Sequence, residues 1–475
     1  MERIKDWKSY QKILNRQKRK KNNFASSIKL IGFLILVILL VYGSVRIFYL
    51  SKAYFITSDK QIQGTGIRPI NFIKDKSVRI KSHIGDFNIF SNAGFSIKSL
   101  KTYFKHNPPV FNTILNGHYI QKIDGYTVVY TIKPVIQKEA EKVFKEYTVP
   151  YGVMAAINPD TGAVLGLASY SYNKERINEI SGLKAYPPGS LAKIITASAA
   201  IESKGFYPGF NICYNGGLYG TNEADWKQNI STGLNRISFS LAFAKSCDVA
   251  FGKVAGFYVG RKLLAKYFNK FYFNKNIPFI LNLQESRADV PNQFYQLELT
   301  GAGFENVKIT PLQAALISAA VINGGKLMEP YIIEKIIGPD GHILYTHRGT
   351  KVLNDPITVK TASILKQMMI KTITNGIGHP DFYNVYNQYM LPGVITGGKT
   401  GTISGNNPEG LYQWFAGFGE SRDKKIAISA LVIENPVWRI TGGGVAEKAL
   451  FAYFFKNNKN NNLKITFSKR KLKVG

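Results

Sequence analysis

A serine followed three residues later by a lysine is the smallest unit here that could do covalent chemistry, and Ser190-Leu191-Ala192-Lys193 is the instance with the best setting. Residues three apart on a helix share a face, so the Lys193 amine would lie beside the Ser190 hydroxyl and could take its proton. Tyr186-Pro187-Pro188-Gly189 cannot continue a helix, whereas Leu191 to Ile201 is rich in Ala and Ile without a breaker. The pattern predicts a helix beginning at or next to Ser190. The pair alone is a weak signal, because Ser-x-x-Lys recurs at Ser9, Ser26, Ser171, Ser181, Ser363, Ser421 and Ser468. The helix start and the partners further along separate Ser190 from these.

Two later stretches could supply those partners. Leu234 to Gly256 reads as helical and contains Ser246-Cys247-Asp248, a hydroxyl and a carboxylate on a polar face. Gly393 to Thr402 reads Gly-Val-Ile-Thr-Gly-Gly-Lys-Thr-Gly-Thr, and its first eight residues match the phosphate-loop pattern letter for letter. A phosphate loop must launch a helix. The run after Thr400, with Gly401, Gly405 and Asn406-Asn407-Pro408, favours none. Lys399-Thr400-Gly401 is therefore read as part of an edge strand lining a cleft. Its lysine would supply charge for a substrate carboxylate, its hydroxyls would donate hydrogen bonds, and its glycine would leave room for a ligand.

The elements that must position these residues follow from periodicity and punctuation. Tyr126 to Ile132 reads as a strand and Ile136 to Lys145 as an amphipathic helix. Gly152 to Ile157 and Val164 to Ala168 read as a hairpin turned by Asn158-Pro159-Asp160-Thr161-Gly162. Thr310-Pro311 opens a helix that Asn323-Gly324-Gly325 ends. Trp414 to Gly417 and Ile426 to Ile433 read as strands, and Ala446 to Phe455 as a closing helix. Strands at both ends with helices between argue for one α/β domain whose sheet is largely antiparallel.

Ser190-x-x-Lys193, Ser246-x-Asp248 and Lys399-Thr400-Gly401, in that order, resemble the motifs of the penicillin-binding protein and serine β-lactamase superfamily. The resemblance runs from about Tyr126 to Phe455. It includes Tyr-Pro-Pro-Gly before the serine, Thr-Pro-Leu-Gln, and Trp414-Phe415-Ala416-Gly417. Among relatives the chain looks most like a class B, monofunctional penicillin-binding protein. The resemblance implies the penicillin-binding transpeptidase fold, an antiparallel sheet flanked by helices with a helical subdomain. It also implies acyl transfer on peptidoglycan stem peptides, inhibition by β-lactams and no cofactor. Ser190 would be the nucleophile, Lys193 its base, and Ser246 a proton relay between Lys193 and the leaving amine. Lys399, Thr400 and Thr402 would hold the substrate carboxylate, with Gly401 and Asp248 also on the substrate side. The N–H groups of Ser190 and Thr402 would form an oxyanion hole. For Lys193 to act as a base its pKa must be lowered, and burial and Lys399 are the expected causes. Asp248 departs from the commoner Asn, because an ionised carboxylate only accepts hydrogen bonds and favours a charged lysine nearby.

At 475 residues with 45% hydrophobic content, the chain supports more than one domain. Its formal charge of +32 is partly in the tails: Met1 to Leu30 holds ten Lys or Arg against Glu2 and Asp6, and seven more with no acid follow from Lys456. No nucleic-acid-binding motif accompanies the charge, so an anionic surface such as membrane or wall is the expected partner, and nucleic acid is not. Cys213 and Cys247 show no metal spacing, and the histidines form no ligand pair. A disulfide between the two is possible in an oxidising compartment, although Cys247 reads better as a small core residue.

Leu30 to Leu50, apolar apart from Ser44 and Arg46, has the length of one membrane span. The basic flank places residues 1–29 in the cytoplasm and everything after Leu50 outside. The expected organisation is a basic tail (1–29), an anchor (30–50), a stalk or linker domain (51–125), the transpeptidase domain (126–455) and a basic tail (456–475). By resemblance, a partner glycosyltransferase would supply the glycan strands. A D,D-carboxypeptidase or β-lactamase, and a non-catalytic β-lactam sensor or scaffold, are the competing readings.

Overall fold

The computed structural model describes residues 96–179, 181–227, 231–435 and 437–456. The expected tail 1–29, anchor 30–50, positions 51–95 of the stalk and nearly all of the 456–475 tail lie outside these residues. Among the described residues no helix is long and apolar enough to cross a membrane.

The described chain opens with the helix Ile97–His106, which is followed by a meander of Thr113–Leu115 (β1), His118–Ile123 (β2) and Tyr126–Tyr130 (β3). The expected domain start at Tyr126 thus falls inside a sheet. Pro134–Glu146 (α1) follows, with its proline in the first turn, where no backbone donor is needed.

Tyr151–Ile157 (β4) and Val164–Ser171 (β5) form the hairpin expected from the Asn158–Gly162 turn. The Asn158 side-chain oxygen accepts from the N–H groups of Asp160 (2.9 Å) and Thr161 (3.2 Å), which is why the turn closes there.

The helical part begins with a 3₁₀ turn at Gly189–Ala192 that runs into Lys193–Lys204 (α2). Gly205 ends α2 in the left-handed region at φ 69°. Further on the continuous helix expected over 234–256 is absent. Asn235–Ser238 is a short strand, then come Phe239–Ala244 (α3) and Asp248–Lys253 (α4). Ser246, between the two helices, has φ 57° and breaks the run. A left-handed non-glycine residue is a local cost that the surrounding packing must offset.

Phe294–Ala302 (α5) and Pro311–Ile322 (α6) complete this region. Thr310 caps α6 through a hydrogen bond from the Gln313 N–H, and every residue of α6 is buried. The helix is apolar all round because it lies between the sheet and other helices.

Ile333–Ile337 (β6) and Ile343–Thr346 (β7) return to the first meander, giving a sheet of order β1-β2-β3-β6-β7. After Val359–Thr374 (α7) come Ile395–Asn406 (β8), Glu409–Glu420 (β9) and Lys425–Glu434 (β10). These join β4 and β5 in an antiparallel sheet of order β8-β9-β10-β4-β5.

Side chains alternate across this sheet. Val153, Leu431 and Trp414 face the cluster that contains α2. Met154, Ala430 and Phe415 face α1 and Gly442–Phe451 (α8) on the other side. The sheet is therefore covered on both faces, with β8 at one edge.

Candidate active site

The nucleophile turn is fixed by backbone packing. The Trp414 indole N–H donates to the Pro187 carbonyl at 2.8 Å, tying the segment before Ser190 to β9. Gly303, at φ 99°, passes so close that a β-carbon there would stand 1.9 Å from the Gly189 carbonyl oxygen. Only glycine fits that approach. A β-carbon built on Gly189 would stand 3.1 Å from the Thr402 nitrogen, so the turn lies directly against β8.

Lys193 is completely buried, and its Nζ donates to three acceptors. These are Ser190 Oγ at 2.6 Å, Asp248 Oδ1 at 2.5 Å and the Ala302 carbonyl at 3.0 Å. Three protons and three acceptors are the full complement of an ammonium. The expected lysine–serine contact is present. Asp248, which was expected on the substrate side, is instead the ion-pair partner of Lys193. It sits at the start of α4, where a negative charge is favourable, and its N–H donates to the Leu218 carbonyl at 2.8 Å.

Lys399 lies on β8, also completely buried. Its Nζ donates to Ser246 Oγ and to the Thr400 carbonyl, both at 2.8 Å, and stands 5.8 Å from the centre of the Phe243 ring. Burial pulls its pKa well below the ordinary lysine value, and the neighbouring Lys193 pulls it further, while Asp248 partly opposes both. The expectation placed the depressed amine at Lys193; the depression resolved here belongs to Lys399. Among the described residues no carboxylate is in hydrogen-bonding contact with Lys399. The Ser246 hydroxyl likewise bonds to Lys399, and among the described residues no hydrogen bond joins it to Lys193. The positive φ of Ser246 turns its side chain away from a continuous helical face.

The remaining predicted residues fall along one strand. Thr400 is half-buried and Thr402 exposed. Gly401 was expected to leave room for ligand, but its space is taken by the protein: a β-carbon there would stand 2.5 Å from the Pro188 carbonyl oxygen. The phosphate-loop alternative is excluded, since the matching residues from Ile395 onward are strand and no helix follows. Cys213 and Cys247 are both buried free thiols, so no disulfide joins them. Burial pushes the Cys247 thiol up to about 12.

Sequence reasoning missed two contributors. The Ala302 carbonyl holds Lys193, and a backbone acceptor leaves no residue-type signal. Tyr219 donates its hydroxyl to the Lys245 carbonyl at 3.0 Å and remains 44% exposed, so it forms part of the rim beside the Ser246 turn.

A serine hydroxyl bonded to a buried lysine, against an edge strand with exposed hydroxyls, defines a serine acyl-transfer site of the Ser-x-x-Lys class. The comparisons carry this further. The model of the penicillin binding protein transpeptidase domain matches residues 152–456, and the chain belongs to that family. It is 26% identical over 366 residues to the peptidoglycan D,D-transpeptidase PbpA of Mycolicibacterium smegmatis, covering 68% of this chain and 70% of that one. It is 24% identical over 348 residues to stage V sporulation protein D of Bacillus subtilis, covering 67% of this chain and 50% of that one. Among solved structures, PBPA from Mycobacterium tuberculosis superposes with a TM-score of 0.56 at 25% identity, over 68% of this chain and 80% of that one.

Proposed function

We propose that this chain is a peptidoglycan D,D-transpeptidase that cross-links stem peptides through a serine acyl-enzyme and is inhibited by β-lactams. The observation that carries the reading is the Lys193 contact to Ser190 inside the assembled three-motif site. In this reading Ser190 Oγ attacks the carbonyl between the two terminal D-alanines, and the C–N bond breaks to release the last one. An amine from a neighbouring stem then displaces the serine and forms the cross-link.

Before Lys193 can accept the Ser190 proton, its Nζ must give one up, and Asp248 Oδ1 is the nearest acceptor that is not the nucleophile. Ser246, bonded to Lys399, is placed to pass a proton to the leaving amine. A substrate carboxylate arriving at Thr400 and Thr402 brings a negative charge toward Lys399 and favours its protonated form. The N–H groups of Ser190 and Thr402 are the oxyanion donors, and loss of one such donor typically costs roughly 2.7–4 kcal/mol of barrier.

The same proposal includes residues 30–50 as a single membrane anchor with 1–29 cytoplasmic and the catalytic domain on the outer side. A partner glycosyltransferase would make the glycan strands. The basic 1–29 flank and the apolar 30–50 run support the anchor.

Intact mass of the full chain after incubation with penicillin, beside Ser190→Ala, tests the reading. A stable one-to-one adduct in the wild type that is absent from the variant is expected. Rapid loss of the adduct would assign a hydrolase instead, and no adduct on either protein would leave a scaffold.

A further inference from the structure

The end of α3 closes as a Schellman turn. The Cys247 N–H donates to the Ala242 carbonyl at 2.8 Å, and the Ser246 N–H to the Phe243 carbonyl at 3.1 Å. Glycine is the usual residue at the left-handed position of such a turn, and here it is Ser246, at φ 57°. That strained backbone is what aims the serine hydroxyl at Lys399 Nζ, 2.8 Å away.

The last two carbonyls before Ser246 find partners on other segments. The Ala244 carbonyl accepts from the Ile377 N–H at 3.0 Å. The Lys245 carbonyl accepts from the Tyr219 hydroxyl, also at 3.0 Å. Immediately before Tyr219, the Leu218 carbonyl accepts from the Asp248 N–H at 2.8 Å. Residues 218 and 219 thus bracket Ser246 and Cys247, with one bond on each side. Among the described residues, the Tyr219 bond is the one contact to this turn's backbone that comes from a side chain.

The bracketing loop is itself tied down. The indole N–H of the fully buried Trp226 donates to the Gly220 carbonyl at 2.9 Å. The Tyr295 hydroxyl, from α5, donates to the Thr221 carbonyl at 2.7 Å. Two aromatic donors on successive carbonyls hold the loop from behind, so Tyr219 has a fixed base from which to reach Lys245. Its hydroxyl is drawn inward: burial pushes it up to about 12, and Asp248 and Cys247 add to the shift. The group therefore stays a protonated donor near neutral pH.

We infer that Tyr219 is a positioning residue: by holding the Lys245 carbonyl, its hydroxyl keeps Ser246 Oγ on Lys399 and in place to protonate the leaving nitrogen. The inference rests on the transpeptidase reading above. As the C–N bond breaks, its electron pair stays on the nitrogen, which takes the Ser246 hydroxyl proton. The Lys399 ammonium, already donating to Ser246, refills that hydroxyl. The Ser190 proton goes to the Lys193–Asp248 pair, so the balance is one hydrogen moved from Ser190 to the departing amine.

The test compares the full chain with Tyr219→Phe, which removes the hydroxyl and keeps the ring, with Ser246→Ala and with the double variant. Two acyl donors are used. Penicillin has nitrogen as its leaving atom, whereas a stem-peptide thioester releases sulfur, which departs as thiolate and needs no proton. Acylation of Tyr219→Phe by saturating penicillin is expected to slow roughly tenfold, a part of the ~10²–10⁴-fold that a positioned proton donor contributes. The concentration for half-saturation should not change, and the thioester should react at the wild-type rate. With penicillin the double variant should be no slower than Ser246→Ala alone, because the tyrosine acts through that serine. Equal slowing with both donors overturns the inference by assigning a general disturbance of the fold, and additive losses in the double variant overturn it as well. A weaker half-saturation in Tyr219→Leu with a fully active Tyr219→Phe also overturns it, by assigning the exposed ring to ligand contact. If the wild type takes up neither donor, the transpeptidase reading fails. Hydrogen exchange of the Cys247 and Asp248 amides then decides the positioning, faster in Tyr219→Phe if the hydroxyl holds the turn and unchanged if it does not.

Discussion

Lys193 and Lys399 are both fully buried, and both sit within a few ångströms of a motif serine, yet their surroundings differ in kind. Lys193, at the start of α2, has a carboxylate, a hydroxyl and a backbone carbonyl for its three protons. Lys399, on the edge strand, has a hydroxyl and a carbonyl, with another lysine near enough to depress its pKa. A buried amine with only dipoles for partners has no anion to offset the water its charge gives up, whereas a carboxylate in contact supplies that offset. One lysine is thus supplied with charge by the fold, and the other is left for a ligand to complete.

The largest expected effect comes from breaking the first arrangement. Lys193→Met removes the base and leaves the Asp248 carboxylate buried without its partner. The rate of acylation by penicillin should fall on the order of 10²–10⁴-fold. Unfolding in urea should show about 3–5 kcal/mol of lost stability, the usual cost of stranding one member of a buried ion pair. A variant as stable as wild type would mean that Asp248 does not depend on Lys193 for its charge balance.

Lys399→Met should give the opposite pattern in stability. The folded chain binds this lysine's proton more weakly than the unfolded chain, whose value is near 10.5. Between the depressed folded value and that one, the unfolded state holds more protons, so wild-type stability rises with pH. The methionine variant lacks that rise. Its melting temperature relative to wild type should therefore be highest at low pH and decline toward alkaline pH, while its acylation by penicillin is impaired throughout. A constant difference in melting temperature across pH would sink the assignment of a depressed pKa to Lys399.

The smallest effect is expected at the tether that both lysine sites share. Trp414→Phe removes the indole bond to the Pro187 carbonyl and should lower stability by about 1 kcal/mol. Because the turn before Ser190 loses one of its ties, acylation should slow modestly without any change in its pH dependence. A shifted pH profile would show that the tryptophan acts on the lysines and not on the turn.

Much of this arrangement was legible in the residues themselves. The breakers before Ser190, the proline and threonine that open α6, and the Asn-Pro-Asp-Thr-Gly turn are local signals, and local chemistry decides those elements. The break at Ser246 was not legible, because Ala-rich helical composition on both sides hid a single residue held at positive φ by tertiary packing. Nor was the contact between Lys193 and the Ala302 carbonyl, which any residue type could make. The pairing of Tyr130 with Ile333 joins segments with no shared pattern. Likewise the roles of Ser246 and Asp248 depended on which lysine each would meet, and spacing along the chain does not encode that.

The pairing of β4 with β10 sets the order in which the molecule can be completed. Ile157 meets Ala427, and Tyr151 meets Ile433, so the central sheet cannot close until almost the whole domain has been synthesised. Until then the β4–β5 hairpin presents an open, apolar edge, and the α2 helix has no finished surface to rest on. Contacts so distant in sequence make for slow folding, because the loop must be closed before the strand pairing rewards it. Reactivity of the serine is therefore a late event in the life of each new chain, arriving together with its last long strands.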